Sequence, residues 1–142
     1  MRPEIGIGAA IYRKNASQPG YDLLLVQRAH PPGRGLWALP GGHLSWGESL
    51  ADALQREMAE ELHITIDIGP LIYVGELLGS DYHFVILDYA ATVREGEPTP
   101  DSDAHDYRWI NLADIRSLLL APGMTDFLAN SEVRRTLHWD NT

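Results

Sequence analysis

The chain has 142 residues, 44% hydrophobic and 22% charged, with no cysteine. This is the composition of an ordinary globular protein, and it excludes a disulfide scaffold, a thiolate nucleophile and a Cys-ligated metal site. A formal charge of −9 excludes the whole-surface basic field that nucleic acid requires, and no apolar run approaches the roughly 18 residues of a membrane span.

In chain order, IGIGAAIY predicts a strand over 5–12, KNASQPG a turn, and DLLLVQR a second strand over 22–28. HPPGRG is a breaker-rich loop, followed by a short strand LWAL and a turn PGG. Leu50, Leu54, Met58 and Leu62 recur every four residues with Ala53 beside them, which predicts a helix over 49–62. Ser49, with Asp52 three residues later, matches a capping box at its start. Strands are predicted over 71–78, 83–93 and 107–110, the last ending at Asn111 as the N-cap of a helix over 112–120. A final helix is predicted over 124–137. Strands, one helix, more strands and then helices predict an α+β fold or a mixed-sheet sandwich rather than a regular βαβ repeat. With no repeat and no long linker, residues 1–142 read as a single domain. The amino-terminal residues lack a basic region followed by a long apolar stretch, so the expected location is the cytoplasm.

The acidity is local. Residues 48–61 hold five acids and one base, residues 95–106 five acids and no base, and together they account for the whole net charge. In the first stretch Glu57, Glu60 and Glu61 stand at i, i+3 and i+4, so the three carboxylates share one helix face. Like charges at these spacings cost a helix roughly 0.2–0.5 kcal/mol per pair, and Arg56 can pair only in part, with Glu60. A face of this kind either is solvated or takes a hard divalent cation, and spacing alone leaves both open.

The surroundings of the trio are more specific. From Gly42, five residues lead to Glu48, seven more to Arg56-Glu57, then an apolar Met58, one spacer, Glu60-Glu61, and two positions on an apolar Ile64. This run, GHLSWGESLADALQREMAEELHI over 42–64, resembles the Nudix box, G-x5-E-x7-R-E-U-x-E-E-x-G-U with U apolar, and fills every charged position. The preceding Trp37-Ala38-Leu39-Pro40-Gly41 and the later Arg108-Trp109 are similar to Nudix flanks, so the resemblance spans nearly the whole chain. The family's glycine after the helix is His63 here, where an altered helix end is expected rather than lost chemistry. His63 as an added metal ligand is the lesser alternative.

The resemblance implies a Nudix-type α/β/α sandwich with a mixed sheet, and hydrolysis of a nucleoside diphosphate linked to another group with Mg²⁺ or Mn²⁺. It implies Glu57 and Glu61 as principal metal ligands, Glu60 as ligand or base, the Gly42 carbonyl in the metal shell, and Arg56 orienting the carboxylates. Glu48 is expected to brace the loop entering the helix. A base outside the box could come from Asp101, Asp103 or Asp106 in PTPDSDAHD, which also reads as a solvated turn. Arg28 and Arg34 are candidate phosphate contacts, with surface charge as the plain alternative. Tyr82, His83 and Phe84 open a strand near where a base could stack, although core packing is the expectation for Phe84, Trp37 and Trp109. Gly6-Ile7-Gly8 lacks the third glycine of a dinucleotide fingerprint, and the histidines lack zinc-like spacing.

The expected partner is a nucleotide-type small molecule, neither nucleic acid nor a membrane. LPGGHLSWGES, YHFVILDYAA and SDAHDYRWINL resemble ADP-ribose pyrophosphatase-like members, which leans the substrate to ADP-ribose or another NDP-sugar. A (deoxy)nucleoside triphosphate is the alternative, and a non-catalytic nucleotide sensor the third reading. The sequence does not specify oligomeric state, and the family's habit suggests a homodimer.

Overall fold

Strands that are apolar on both faces need cover on both sides, and the helices of this chain supply it. The computed structural model describes residues 2–99 and 104–139. Its strands are β1 (Glu4–Lys14), β2 (Tyr21–Arg28), β3 (Trp37–Ala38), β4 (Gly41–His43), β5 (Thr65–Leu78), β6 (His83–Glu95) and β7 (Ala104–Asn111). The helices are α1 (Leu50–Leu62), α2 (Met124–Ala129) and α3 (Ser131–Thr136), with a 3-10 helix at Leu112–Ser117. The sheet runs in the order β3-β2-β1-β6-β5, with β4 added to β1 and β7 to β2. β1 lies parallel to β6, and β1 and β2 pair antiparallel, so the sheet is mixed.

Two cores lie on its two faces. Ile7, Ala9 and Ile11 of β1 pack with Leu24 and Val26 of β2 against Ala53, Leu54, Met58 and Leu62 of α1. Ala10, Leu23 and Leu25 point the other way, into a cluster with Ile115, Phe127, Leu128, Val133 and Leu137. This period-two alternation with both faces covered is the α/β/α sandwich expected from the sequence. Leu54, Met58 and Leu62 are fully buried, and each such side chain contributes roughly 1.5–3 kcal/mol relative to exposure.

Helix α1 is fastened at both ends. Ser49 is its N-cap, with the hydroxyl accepting from the Asp52 N–H at 3.1 Å. The Gln55 side chain donates to the Ile66 carbonyl at 2.6 Å and accepts from the Ile66 N–H at 3.1 Å, tying the helix to the start of β5. At the C-cap His63 takes the left-handed conformation itself (φ 59°, ψ 37°) and donates to the Ala59 carbonyl at 3.1 Å. The altered termination expected from the missing glycine does not occur: His63 adopts the glycine's backbone geometry.

Several boundaries differ from the sequence reading. PGG is not a turn, because Gly41–His43 pairs with β1 through Gly6↔His43, Ile7↔Gly42 and Gly8↔Gly41. β5 starts at Thr65 instead of 71, its irregular register absorbing Gly69-Pro70, which broke the apolar pattern. The helix expected over 112–120 is a six-residue 3-10 helix capped by Asn111. The helix expected over 124–137 divides at Asn130, whose side chain accepts from the Val133 N–H and opens a separate helix. No helix among the described residues is long and apolar enough to cross a membrane.

Candidate active site

A cavity of about 630 Å³ opens on the sheet where β4 joins β1. Gly6 and Gly8 of β1 form part of its floor, with Phe84, Ile86 and Asp88 of β6 beside them. From this centre the lining extends to Arg28–Pro32 after β2 on one side and to Tyr73–Leu77 of β5 on the other. Residues Ala121–Met124, Asp126 and Phe127 complete the lining, Pro122 lying near Gly33 after β2 and Gly123 near Leu77 of β5.

Glu57 and Glu61 reach the cavity from one turn of α1 and are only 9% and 6% exposed. Carboxylates are seldom buried to this degree unless held. Arg56 holds the first, donating to Glu57 Oε1 at 2.8 Å, and Gly41 N–H donates to Glu61 Oε1 at 3.0 Å. Arg56 is itself fixed by a two-point bond to Glu48 (2.6 and 2.9 Å) and by donation to the His43 carbonyl at 3.0 Å. Glu48 accepts in addition from the Ser45 N–H at 3.1 Å, so it braces the loop entering the helix. The Arg56 guanidinium draws the Glu48 carboxyl down to about 2, and Glu48 and Glu57 raise the Arg56 pKa in turn. Gly42 lies flat against Glu57, and a Cβ there would collide with the Glu57 carboxylate.

The carboxylate trio is therefore divided. Glu57 and Glu61 face the cavity, whereas Glu60 has a side chain 60% exposed, meets Arg56 at 3.3 Å and is not part of the lining. Among the described residues no three His, Cys, Asp or Glu side chains are gathered around one point. What the cavity offers a cation is two buried carboxylates and the adjoining Gly42 backbone, an all-oxygen donor set that fits a hard divalent ion.

The outlying candidates fare differently. Arg28 lines the cavity, its Nε donating to the Pro32 carbonyl at 2.6 Å. Arg34 is exposed and outside the lining. Asp106 is exposed on β7 opposite Gln27, accepts from the Tyr107 N–H at 2.8 Å and does not reach the cavity. Asp101 and Asp103 lie outside the described residues. Trp37 is buried as expected, and Trp109 is half-buried under the Arg13 guanidinium at 4.0 Å. Phe84 departs from its expected core role: it is half-buried in the cavity wall, 5.6 Å from the His43 ring and 5.8 Å from Tyr82.

Sequence reasoning overlooked Asp88, Tyr73 and Asp126, which line the cavity, both acids close enough to Tyr73 for their charge to act on its hydroxyl. Asp88 is 6% exposed, and burial pushes its carboxyl up to about 7. Burial raises the Tyr73 hydroxyl as well, helped by the negative charge of Asp126 and Asp88. The available signal was the lone acid inside the apolar run HFVILDYAA.

Known proteins are similar to this chain in sequence and in fold. The NUDIX domain family model matches residues 3–131. A Mycobacterium tuberculosis protein named as a candidate 8-oxo-dGTP diphosphatase is 32% identical, over 97% of this chain and 93% of its own length. An ADP-ribose pyrophosphatase of Methanocaldococcus jannaschii is 26% identical, over 83% of this chain and 68% of its own. Among solved structures, a MutT NUDIX hydrolase from Burkholderia pseudomallei superposes with a TM-score of 0.78 at 29% identity, covering 92% of this chain and 99% of that one. Members of the family generally work with divalent cations. With every charged position of the box in place around α1, and a family model spanning residues 3–131, the chain belongs to the Nudix hydrolase family.

Proposed function

We propose that the chain, acting as one domain over residues 1–142, hydrolyses the diphosphate linkage of a nucleoside diphosphate joined to a second group, with ADP-ribose or another NDP-sugar as the leading substrate class. The observation that carries this reading is the presence of the buried Glu57 and Glu61, against Gly41 and Gly42, in a cavity lined from β2 to β5. A cavity of about 630 Å³ around a diphosphate held there leaves room for the groups that an NDP-sugar attaches to it. A (deoxy)nucleoside triphosphate, including an oxidised one, is the second reading, favoured by the 32% identity to the relative named for 8-oxo-dGTP.

Glu57, Glu61 and the Gly42 carbonyl are assigned to hold Mg²⁺ or Mn²⁺. The bound cation would neutralise diphosphate charge and acidify water. Arg56, pinned by Glu48, keeps the Glu57 carboxylate in place, and the Gly41 N–H does the same for Glu61. This preorganisation lets the carboxylates act without rearranging as charge develops. Arg28 uses Nε on Pro32, which leaves its terminal nitrogens for a phosphate oxygen. Glu60, although off the cavity, shares the Arg56 guanidinium with Glu57 and is the base candidate within the box, whereas Asp106, among the described residues, has no contact with the box.

The deciding experiment measures phosphate or nucleotide release from ADP-ribose, other NDP-sugars, dinucleoside polyphosphates and (d)NTPs, each with Mg²⁺, Mn²⁺ or EDTA. Cation-dependent cleavage of ADP-ribose or another NDP-sugar is expected. Turnover of (d)NTPs alone would select the second reading, and silence across the panel with nucleotide still bound would make the protein a sensor.

A further inference from the structure

Asp88 is the least explained group in the cavity. It is 94% buried by its 6% exposure, yet among the described residues it has neither a hydrogen-bond nor an ion-pair partner. Buried acids are ordinarily paired, because an uncompensated carboxyl in a low-dielectric site costs stability. Among the described residues no side-chain oxygen or nitrogen fully shut from solvent lacks a partner, so the unpartnered Asp88 oxygens open to the cavity it lines. Its room comes from Gly8, where a Cβ would collide with the Asp88 carboxyl.

The position is specific. Asp88 pairs with Gly8, Gly8 pairs with Gly41, and Gly41 N–H holds Glu61. Two strand spacings, on the order of 10 Å, separate the Asp88 and Gly41 backbones, and the carboxyl leans over Gly8 between them, beside a diphosphate held by the box and within reach of the nucleoside attached to it. Phe127, its ring 5.5 Å from that of Tyr73, and Met124 add apolar lining, and Tyr73 and Asp126 add polar groups. An apolar wall with a few convergent polar groups is how a protein orients a flat heterocycle.

We propose that Asp88 is a specificity residue that reads the amino-bearing edge of a purine base, accepting a hydrogen bond from the exocyclic amine. This rests on the nucleotide reading of the same cavity and adds to it the group that selects the base. An unpaired buried acceptor penalises any base that lacks the matching donor, the arrangement that gives strong rejection. Tyr73 and Asp126 flank the base, and Gly8 keeps the carboxyl in place.

The test is equilibrium binding of ADP, GDP and IDP by calorimetry with Mg²⁺, on wild type, Asp88→Ala, Asp88→Asn and Gly8→Ala. IDP is the informative probe because it differs from GDP by the amine alone. Wild type is expected to bind ADP or GDP at least 10-fold more tightly than IDP. Asp88→Ala should erase the preference, and Gly8→Ala should do so by displacing the carboxyl without removing it. Asp88→Asn, which preserves shape and an acceptor oxygen, should retain part of it and guards against misfolding of the others. On the substrate that the panel identifies, the loss should fall on KM with kcat kept within a few-fold, which a merely structural effect would not produce. Equal binding of all three nucleotides by wild type, or an unchanged preference in Asp88→Ala, overturns the proposal. Failure of the hydrolase reading is distinct: it is silence in the turnover panel while Asp88-dependent base preference persists in binding.

Discussion

Burial raises the Asp88 carboxyl from 3.8 to about 7, so between those values the folded chain keeps a proton that the unfolded chain has released. Stability falls wherever the native state binds more protons, so this group erodes it as pH rises from about 4 to about 7. Asp88→Asn should flatten that slope and stabilise the protein at pH 8 by about 2–4 kcal/mol, read as the urea midpoint against pH. An unchanged slope would mean that the carboxyl is charged in the fold. At the opposite extreme stands Glu48, drawn to about 2 by Arg56, which keeps its charge throughout the range where the box must work. Under the proposed ligand role, Glu57→Gln or Glu61→Gln should lower kcat by about 100-fold or more with the circular dichroism spectrum unchanged, since each would remove a charge from the cation site. Near-wild-type rates in both variants would end the ligand assignment. Asp106→Asn should leave kcat where it was, because the side chain lies outside the cavity.

The helix α1 converts spacing into a site. Its apolar repeat buries one face against the sheet, and the same helical period carries Glu57 and Glu61 to the boundary where that face meets the cavity. Arg56 then links three carboxylates and the His43 carbonyl, joining helix, loop and β4 into one unit. At the helix end, His63 holds a left-handed backbone that costs a non-glycine residue roughly 1 kcal/mol. His63→Gly is therefore expected to raise stability by about 0.5–1 kcal/mol, allowing for glycine's greater entropy in the unfolded chain, with kcat unchanged. A thermal melt beside a rate assay checks both halves. Loss of cation affinity in that variant would instead make the imidazole a ligand.

At the scale of the whole molecule, the sandwich brings together residues that are distant in sequence: β1 glycines, the β6 acid, α1 carboxylates and the α2 end. A cation that binds this assembled face and not the unfolded chain must stabilise the fold by mass action, by about 2.7 kcal/mol at 100 times its Kd. Melting temperature is expected to rise with Mg²⁺ or Mn²⁺ and return to baseline with EDTA. The rise should vanish in Glu57→Gln, and its persistence there would place the cation elsewhere.

The sequence by itself determined the family, the helix that carries the box and the alternation of the strands, because each is written in spacing along a short segment. Glu57, Glu61, Arg56 and Gly42 were legible for that reason: one helix and the strand before it set their geometry. Helix breaks at 118–123 and at Asn130 were less legible, since local capping competes with periodicity there. The tertiary structure alone decided that Glu61 is held by Gly41, that Glu60 and Asp106 lie off the cavity, that Phe84 lines it, and that Asp88 is buried over Gly8. Burial and pairing across strands depend on which segments the sheet sets side by side, and nothing local to LDYA encodes that its aspartate lies opposite a glycine eighty residues earlier.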